Sequence, residues 1–167
     1  MIEEYAERSK KKRKKFKKFL KKFNKVYVPE IGKFTEPAEE YAWKKIDCLD
    51  CGNCCKKMTP TFTEADIKRI SEHLEMTPTA FKNKWLEKEE EDGDMVNKSM
   101  PCQFLNLEDN KCSIYEVRPA DCSGFPHFDK TDFGDYNHVY RQNLKFCPAT
   151  FEFVKHIKAA VEKEYEL

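Results

Sequence analysis

Glycine is scarce in this chain, five residues in 167, and the scarcity already removes several kinds of chemistry. Phosphate cradles are built from glycine-rich turns, because only a residue without Cβ lets backbone approach a ligand so closely. The sequence holds no Gly-x-Gly-x-x-Gly run, no P-loop pattern, no nucleophile elbow and no His-Glu-x-x-His pair. Nothing therefore points to nucleotide-dependent or hydrolytic chemistry. Long apolar runs are missing as well. No stretch approaches the ~18 apolar residues of a membrane-spanning helix, and no apolar segment follows the positive charges of MIEEYAERSKKKRKK, so no secretory leader is expected. The expectation is a cytoplasmic protein without a transmembrane segment, in a compartment where thiols stay reduced.

What is present is charge, phenylalanine and cysteine. Charged residues make up 37% and hydrophobic residues 40%, with thirteen Phe, which suits a globular domain with an aromatic core and a heavily charged surface. The net charge of +1 conceals a split. Residues 1–25 carry twelve Lys or Arg against three Glu, a net +9, and the rest of the chain carries nineteen basic against twenty-seven acidic residues, a net −8. A basic arm is attached to an acidic body.

Within the arm, Phe16, Phe19, Leu20 and Phe23 recur at helical spacing, predicting an amphipathic helix with one apolar stripe. Its like charges repel at i, i+3 and i, i+4, so the stripe needs a docking surface for the helix to persist. Pro29 and Gly32 are expected to break it, with a linker at Glu30–Pro37 and a short helix over Glu39–Lys45. In TFTEADIKRISEHLEM, Thr63 and Asp66 form a capping-box signature ahead of Ile67, Ile70 and Leu74. Thr77 with Pro78 starts a further helix that carries Phe81, Trp85 and Leu86 inward, and Glu87–Asp94 reads as its solvated acidic exit. PCQFLNLEDNKCSIY alternates around Asp109 and Asn110 like a hairpin. Tyr136–Leu144 reads as a short strand. The final segment is an amphipathic helix with Phe151, Val154, Ile157 and Val161 on one face. The fold class expected is mainly α with a small β-hairpin (α+β), a partly irregular single domain organised around a metal–thiolate centre, with a basic helical arm at 1–34 and a cysteine-cluster metal-binding domain at 35–167.

The stretch CLDCGNCC packs Cys48, Cys51, Cys54 and Cys55 into eight residues; Cys102, Cys112, Cys122 and Cys147 are scattered. Cys-x-x-Cys spacing lets one tight turn aim two thiolates at one ion, with Gly52 free to take unusual backbone angles. The adjacent pair Cys54–Cys55 is different: neighbouring side chains point apart, so the pair suits two ions or two sides of a cluster. Eight thiolates make two four-cysteine zinc sites. The run Cys-x-x-Cys-x-x-Cys with a distant Cys147-Pro148 equally echoes the ligands of a [4Fe-4S] cluster or other iron site. A disulfide scaffold and a set of buried inert cysteines are the alternatives, and the spacing sets the second aside.

These residues resemble a family. Cys-x-x-Cys-Gly-x-Cys-Cys at Cys48–Cys55, Pro101-Cys102, CSIYEVRPADC at Cys112–Cys122, Phe125-Pro126 and Cys147-Pro148 look like the YkgJ-type cysteine-cluster family, described as zinc- or iron-chelating, across Asp47 to Ala149. A related cysteine block occurs in flagellin lysine methylases, which favours iron–sulfur ligation. The resemblance carries over the cysteines and Tyr115-Glu116-x-Arg118-Pro119. It departs at Ser123, where family members often place Arg, and the basic arm lies outside it.

Arg118, flanked by candidate ligands, can hydrogen-bond to sulfur and offset thiolate charge, or form an ordinary surface salt bridge. Tyr115 is placed beside the same site and reads as a core residue with a satisfied hydroxyl. His127 and His138 could replace a thiol but read as ordinary loop and strand histidines; His73 and His156 read as solvated. The cofactor expected is Zn2+, with iron or a [4Fe-4S] cluster as the alternative. A redox or electron-transfer protein serving a partner enzyme is the competing function, and a basic adaptor the third. Lys10–Lys25 suits an acidic protein partner, nucleic acid or an anionic membrane, or folds back on the acidic body.

Overall fold

Aromatic and small side chains decide where the helices of this chain rest. The computed structural model describes residues 2–23, 28, 30–128, 134 and 136–165. In chain order its elements are helices α1 (Ile2–Phe23), α2 (Gly32–Lys45), α3 (Cys48–Cys51), α4 (Asn53–Lys57), α5 (Glu64–His73) and α6 (Pro78–Trp85), strands β1 (Leu86–Lys88) and β2 (Met95–Asn97), a 3-10 turn at Tyr115–Val117, and helices α7 (Ala120–Gly124), α8 (Asn137–Asn143) and α9 (Pro148–Glu164). The chain is mostly helical with one small antiparallel sheet, as its composition and patterning predict. The contacts divide it into two units, Met1–Asp47 with Pro126–Leu167, and Cys48–Phe125.

The first unit is assembled around α9. The expected stripe of α1 (Phe16, Phe19, Leu20 and Phe23) is buried, and Phe16 meets Phe151 of α9 with ring centroids 4.9 Å apart. The arm's helix is therefore a packed element. Its predicted break at Pro29 lies outside the described residues, and Gly32 opens α2 instead of stopping α1. Helix α2 corrects a second expectation. It runs from Gly32 straight through Pro37, where the sequence reads as linker. A proline inside a helix costs about 3 kcal/mol in isolation, but Phe34, Ala38 and Ala42 all become buried on one face of α2, and packing along α9 outweighs local propensity. Residues Asn137–Asn143 are helical, not a strand. Buried Asn137, Tyr140 and Asn143, followed by Leu144, follow a period near 3.6, and two of them are polar, which hides the period from a hydrophobicity reading. Their polar groups have work inside. The Asn137 amide donates to the Leu20 carbonyl of α1 at 2.8 Å, and the Tyr140 hydroxyl donates to the His127 carbonyl at 2.9 Å.

The second unit has its own core of Phe62, Ile67, Ile70, Phe81, Leu86, Phe104 and Ile114. Helix α5 begins at the predicted capping box, with Thr63 and Asp66 bonded reciprocally, and α6 begins at Thr77–Pro78 as predicted. The acidic segment after α6 does not trail off as a helix end. Leu86 pairs with Asn97, Glu87 with Val96 and Lys88 with Met95, and Gly93 closes the connection at φ 77°. The hairpin expected at 101–115 is reduced to a single bridge, Leu105 opposite Cys112, because the chain turns back at Asn110 (φ 59°) before a ladder can extend. The peptide before Pro101 is cis.

Candidate metal centre

The cysteine loop is two short helices, α3 and α4, hinged at Gly52. Gly52 sits at φ 55°, a conformation that side chains disfavour, and it lets the chain reverse between Cys51 and Asn53. Asn110 closes over this hinge from the turn 58 residues later. Its side-chain amide donates to the Asp50 carbonyl at 3.0 Å.

Five further hydrogen bonds order the separate segments that carry the other thiols of this unit. The Cys102 amide donates to the Cys55 carbonyl at 2.9 Å, tying the Pro101–Cys102 segment to α4. The Phe104 amide donates to the Cys102 sulfur and the Ile114 amide to the Cys112 sulfur, while Phe104 and Ile114 themselves are core residues. Each of these cysteines is thus two positions from a side chain that fixes it. Cys122 rides on α7, whose first amide, Ala120, donates to the buried Asp66 carboxylate at 3.0 Å; Asp121 next to it accepts from the Thr61 amide at 3.1 Å.

The electrostatics of these thiols are coupled. Bonding to Cys54 and burial push the Cys55 thiol up. Burial raises Cys102, and the charges of Cys55 and Cys112 add to it. Burial also raises Cys112, with Cys55 adding and Arg118 opposing. Burial raises Cys122 most plainly, with Cys55, Cys102 and Cys112 all contributing. Cys55, Cys102, Cys112 and Cys122, from four different segments, are therefore close enough to oppose one another's ionisation. Among the described residues, no three His, Cys, Asp or Glu side chains converge as a ready metal cage. The set is a gathering of thiols with amide donors aimed at two of the sulfurs, and those donors favour thiolate. Its donor chemistry fits a soft or borderline cation: an ion between the sulfurs replaces mutual repulsion with attraction.

None of the eight cysteines is joined in a disulfide. Cys48 is exposed, and Cys51, Cys54 and Cys55 are half-buried. The vicinal sulfurs of Cys54 and Cys55 lie 3.8 Å apart, so they approach each other where the sequence predicts divergence; both sit in the single turn of α4, which allows it. Cys147 belongs to the first unit, where its sulfur accepts the Thr150 amide at 3.3 Å as the cap of α9. Tyr115 is 40% exposed, not a core residue, and the Arg118 guanidinium lies 3.9 Å from its ring centre. Arg118 also donates to the Tyr115 carbonyl at 2.6 Å. His138 and His73 are exposed. His156 is half-buried against the Tyr41 ring, with centroids 4.8 Å apart, and is not simply solvated.

Sequence reasoning misses Asn110 as the clasp on the loop and Asp66 as the support of α7. Asp66 is visible as a capping residue, but its second hydrogen bond spans 54 positions, and no local signal carries that. Arg69 completes the support: it pairs with Asp66 at 2.8 Å and donates to the Arg118 carbonyl at 2.9 Å.

A family model described as "CxxCxxCC: Putative zinc- or iron-chelating domain" matches residues 47–147. A curated protein of Methanocaldococcus jannaschii, "Uncharacterized protein MJ0661", is 30% identical over 87 residues, 48% of this chain and 43% of its own length. The chain thus spans less than half of that relative. No solved structure matches, and no helix among the described residues is long and apolar enough to cross a membrane.

Proposed function

This chain belongs to the CxxCxxCC family, and we propose that it is a metal-binding protein that holds zinc through its cysteines, in a structural or metal-handling role. The observation that carries the reading is the family match across the cysteine block, residues 47–147, in which the Cys102 amide is tied to the Cys55 carbonyl at 2.9 Å and Cys55, Cys102, Cys112 and Cys122 oppose one another's ionisation. Those four are assigned as one thiolate set, with Cys48, Cys51 and Cys54 supplying thiolates to a second ion. Zinc bound by the four-thiolate set contributes folding free energy and leaves no open position for water there, which agrees with the lack of hydrolytic motifs. The chain's own residues do the rest. The Phe104 and Ile114 amides hydrogen-bond to sulfur, Arg118 offsets thiolate charge at Cys112, and Asp66 and Asn110 hold the segments that carry the thiols. Reduced thiols fit the cytoplasm, which is the location proposed.

The test is metal analysis with an absorption spectrum on protein purified without oxygen. Colourless protein with about one zinc ion per chain on the four-thiolate set, or about two where the three loop thiolates hold a second, supports the reading. Brown protein with iron and acid-labile sulfide overturns it in favour of an iron–sulfur protein acting in electron transfer or beside a modifying enzyme.

A further inference from the structure

The family match begins at residue 47, so it leaves α1 unexplained. The apolar stripe of α1 is consumed inside the first unit: Phe16, Phe19, Leu20 and Phe23 are at most 6% exposed. The opposite face carries Lys10, Lys14, Lys17 and Lys21, all exposed and separated by four, three and four positions, so they line one outward ridge. Lys18 and Lys22 flank it and are also exposed. No acidic residue occurs between Lys10 and Phe23. Among the described residues no ion pair engages these six lysines. The ridge spans about 16 Å at the rise of an α-helix, the axial length of about five phosphates on one strand of a duplex.

We propose that the outward lysine face of α1 binds the phosphate backbone of nucleic acid, without reading sequence. Burial of the phenylalanines argues against a membrane surface, since an interfacial helix holds lipid by inserting an apolar face, and α1 has none to spare. An unbroken, evenly spaced line of lysines with no acceptors or aromatics among them matches a regular row of like anions better than the irregular carboxylates of an acidic protein. Lysine on a flexible stem contacts phosphate as a point charge, so the recognition is electrostatic and indifferent to base identity. The inference is independent of which metal the cysteines hold.

The experiment uses the full-length, metal-loaded protein and fluorescence anisotropy of labelled duplex DNA and single-stranded RNA of mixed sequence over a salt series. Neutralising about four phosphates predicts a slope of about −3.6 in log K against log salt, and about a 150-fold loss of affinity between 50 and 200 mM. The triple variant Lys14→Glu, Lys17→Glu, Lys21→Glu should weaken binding at least tenfold and flatten the slope, with helicity and metal content unchanged. If the reversal unfolds α1, the milder Lys→Gln triple at the same positions gives the same reading. Unchanged affinity in a folded variant overturns the proposal. So does no binding at 50 mM salt, or stronger binding to phosphatidylserine vesicles or to polyglutamate than to either nucleic acid.

Discussion

Asn110 occupies the space into which a side chain at Gly52 would project. A Cβ built at Gly52 lies 3.0 Å from the Asn110 Oδ1 and 3.1 Å from its Cβ and Cγ, and both residues hold positive φ, 55° and 59°. Two left-handed residues 58 positions apart thus lock the hinge of CLDCGNCC against the turn between Cys102 and Cys112. The contact is the place where the loop's geometry meets the hairpin-like segment that carries two further thiols.

Gly52→Ala should therefore cost more than the roughly 1 kcal/mol of placing Ala in a left-handed conformation, because Asn110 must also move and would lose its bond to Asp50. The expected result is a lower melting temperature and weaker metal retention in competition with a chelator. Asn110→Gly keeps the left-handed turn and opens the space. The double variant should then lose less than the sum of the two single losses, as contacting residues do. Strict additivity would show that the contact does not matter.

Asp66 gives a pH prediction. Burial alone would raise its carboxyl, but bonds from Thr63, Arg69 and Ala120 outweigh burial and hold it below the ordinary carboxylate range. A group with a depressed folded pKa contributes its full stability above the unfolded value of about 3.9, and loses it as pH falls through the lower folded value. The stability gap between the wild-type protein and Asp66→Asn should therefore be constant from neutral pH to about 5 and close below about 4. Thermal melts across that range measure it. At neutral pH the substitution leaves the Ala120 amide poorly partnered, an effect of about 2 kcal/mol. A gap that stays open in acid would contradict the assignment.

How legible this was from sequence depended on whether the deciding force was local. The capping box at Thr63–Asp66 and the Thr77–Pro78 start are written within four residues, and the stripes of α1 and α9 are written in apolar spacing; all four stand in the structure. The passage of α2 through Pro37 is decided by Ala38 and Ala42 reaching zero exposure, and no local rule sees that partner. Helix α8 was concealed because Asn137 and Asn143, fully or nearly buried, look like surface residues. The site follows the same division. CLDCGNCC announces its cysteines, while the Asn110 clasp, the Asp66 support of α7 and the approach of four separate thiols rest on contacts across many tens of residues.

Leu20 tests whether α1 is a tail or a structural element. Its side chain is fully buried, and its carbonyl receives the Asn137 amide. Leu20→Ala should destabilise the protein by about 3 kcal/mol, as cavity-forming changes in a packed core do. Lys17→Ala, exposed three positions away, should cost less than about 0.5 kcal/mol. Denaturant titrations of both variants give the comparison. Similar small losses would mean that the helix is only loosely docked.

Arg118 tests the thiol set itself. Its charge opposes the rise at Cys112, its guanidinium stacks on Tyr115, and its own backbone carbonyl is held by Arg69. Removing the guanidinium should make the thiolate at Cys112 harder to form, so metal binding at a fixed pH weakens and its pH dependence moves upward, because more protons must be displaced. Groups that support ligands in this way are typically worth 10- to 100-fold in metal affinity, and Arg118→Gln should fall near the lower figure, since the residue is only half-buried. Arg118→Lys keeps the charge while losing the planar stack, so it should recover most of the affinity if charge is the cause and little if stacking on Tyr115 is. Chelator competition at several pH values separates these outcomes. Cys112→Ser supplies the reference, since loss of a ligand should lower the metal count, whereas Arg118→Gln should lower only the affinity. A metal count and affinity unchanged in Arg118→Gln would remove Arg118 from the site and leave it as a surface residue stacked on a tyrosine.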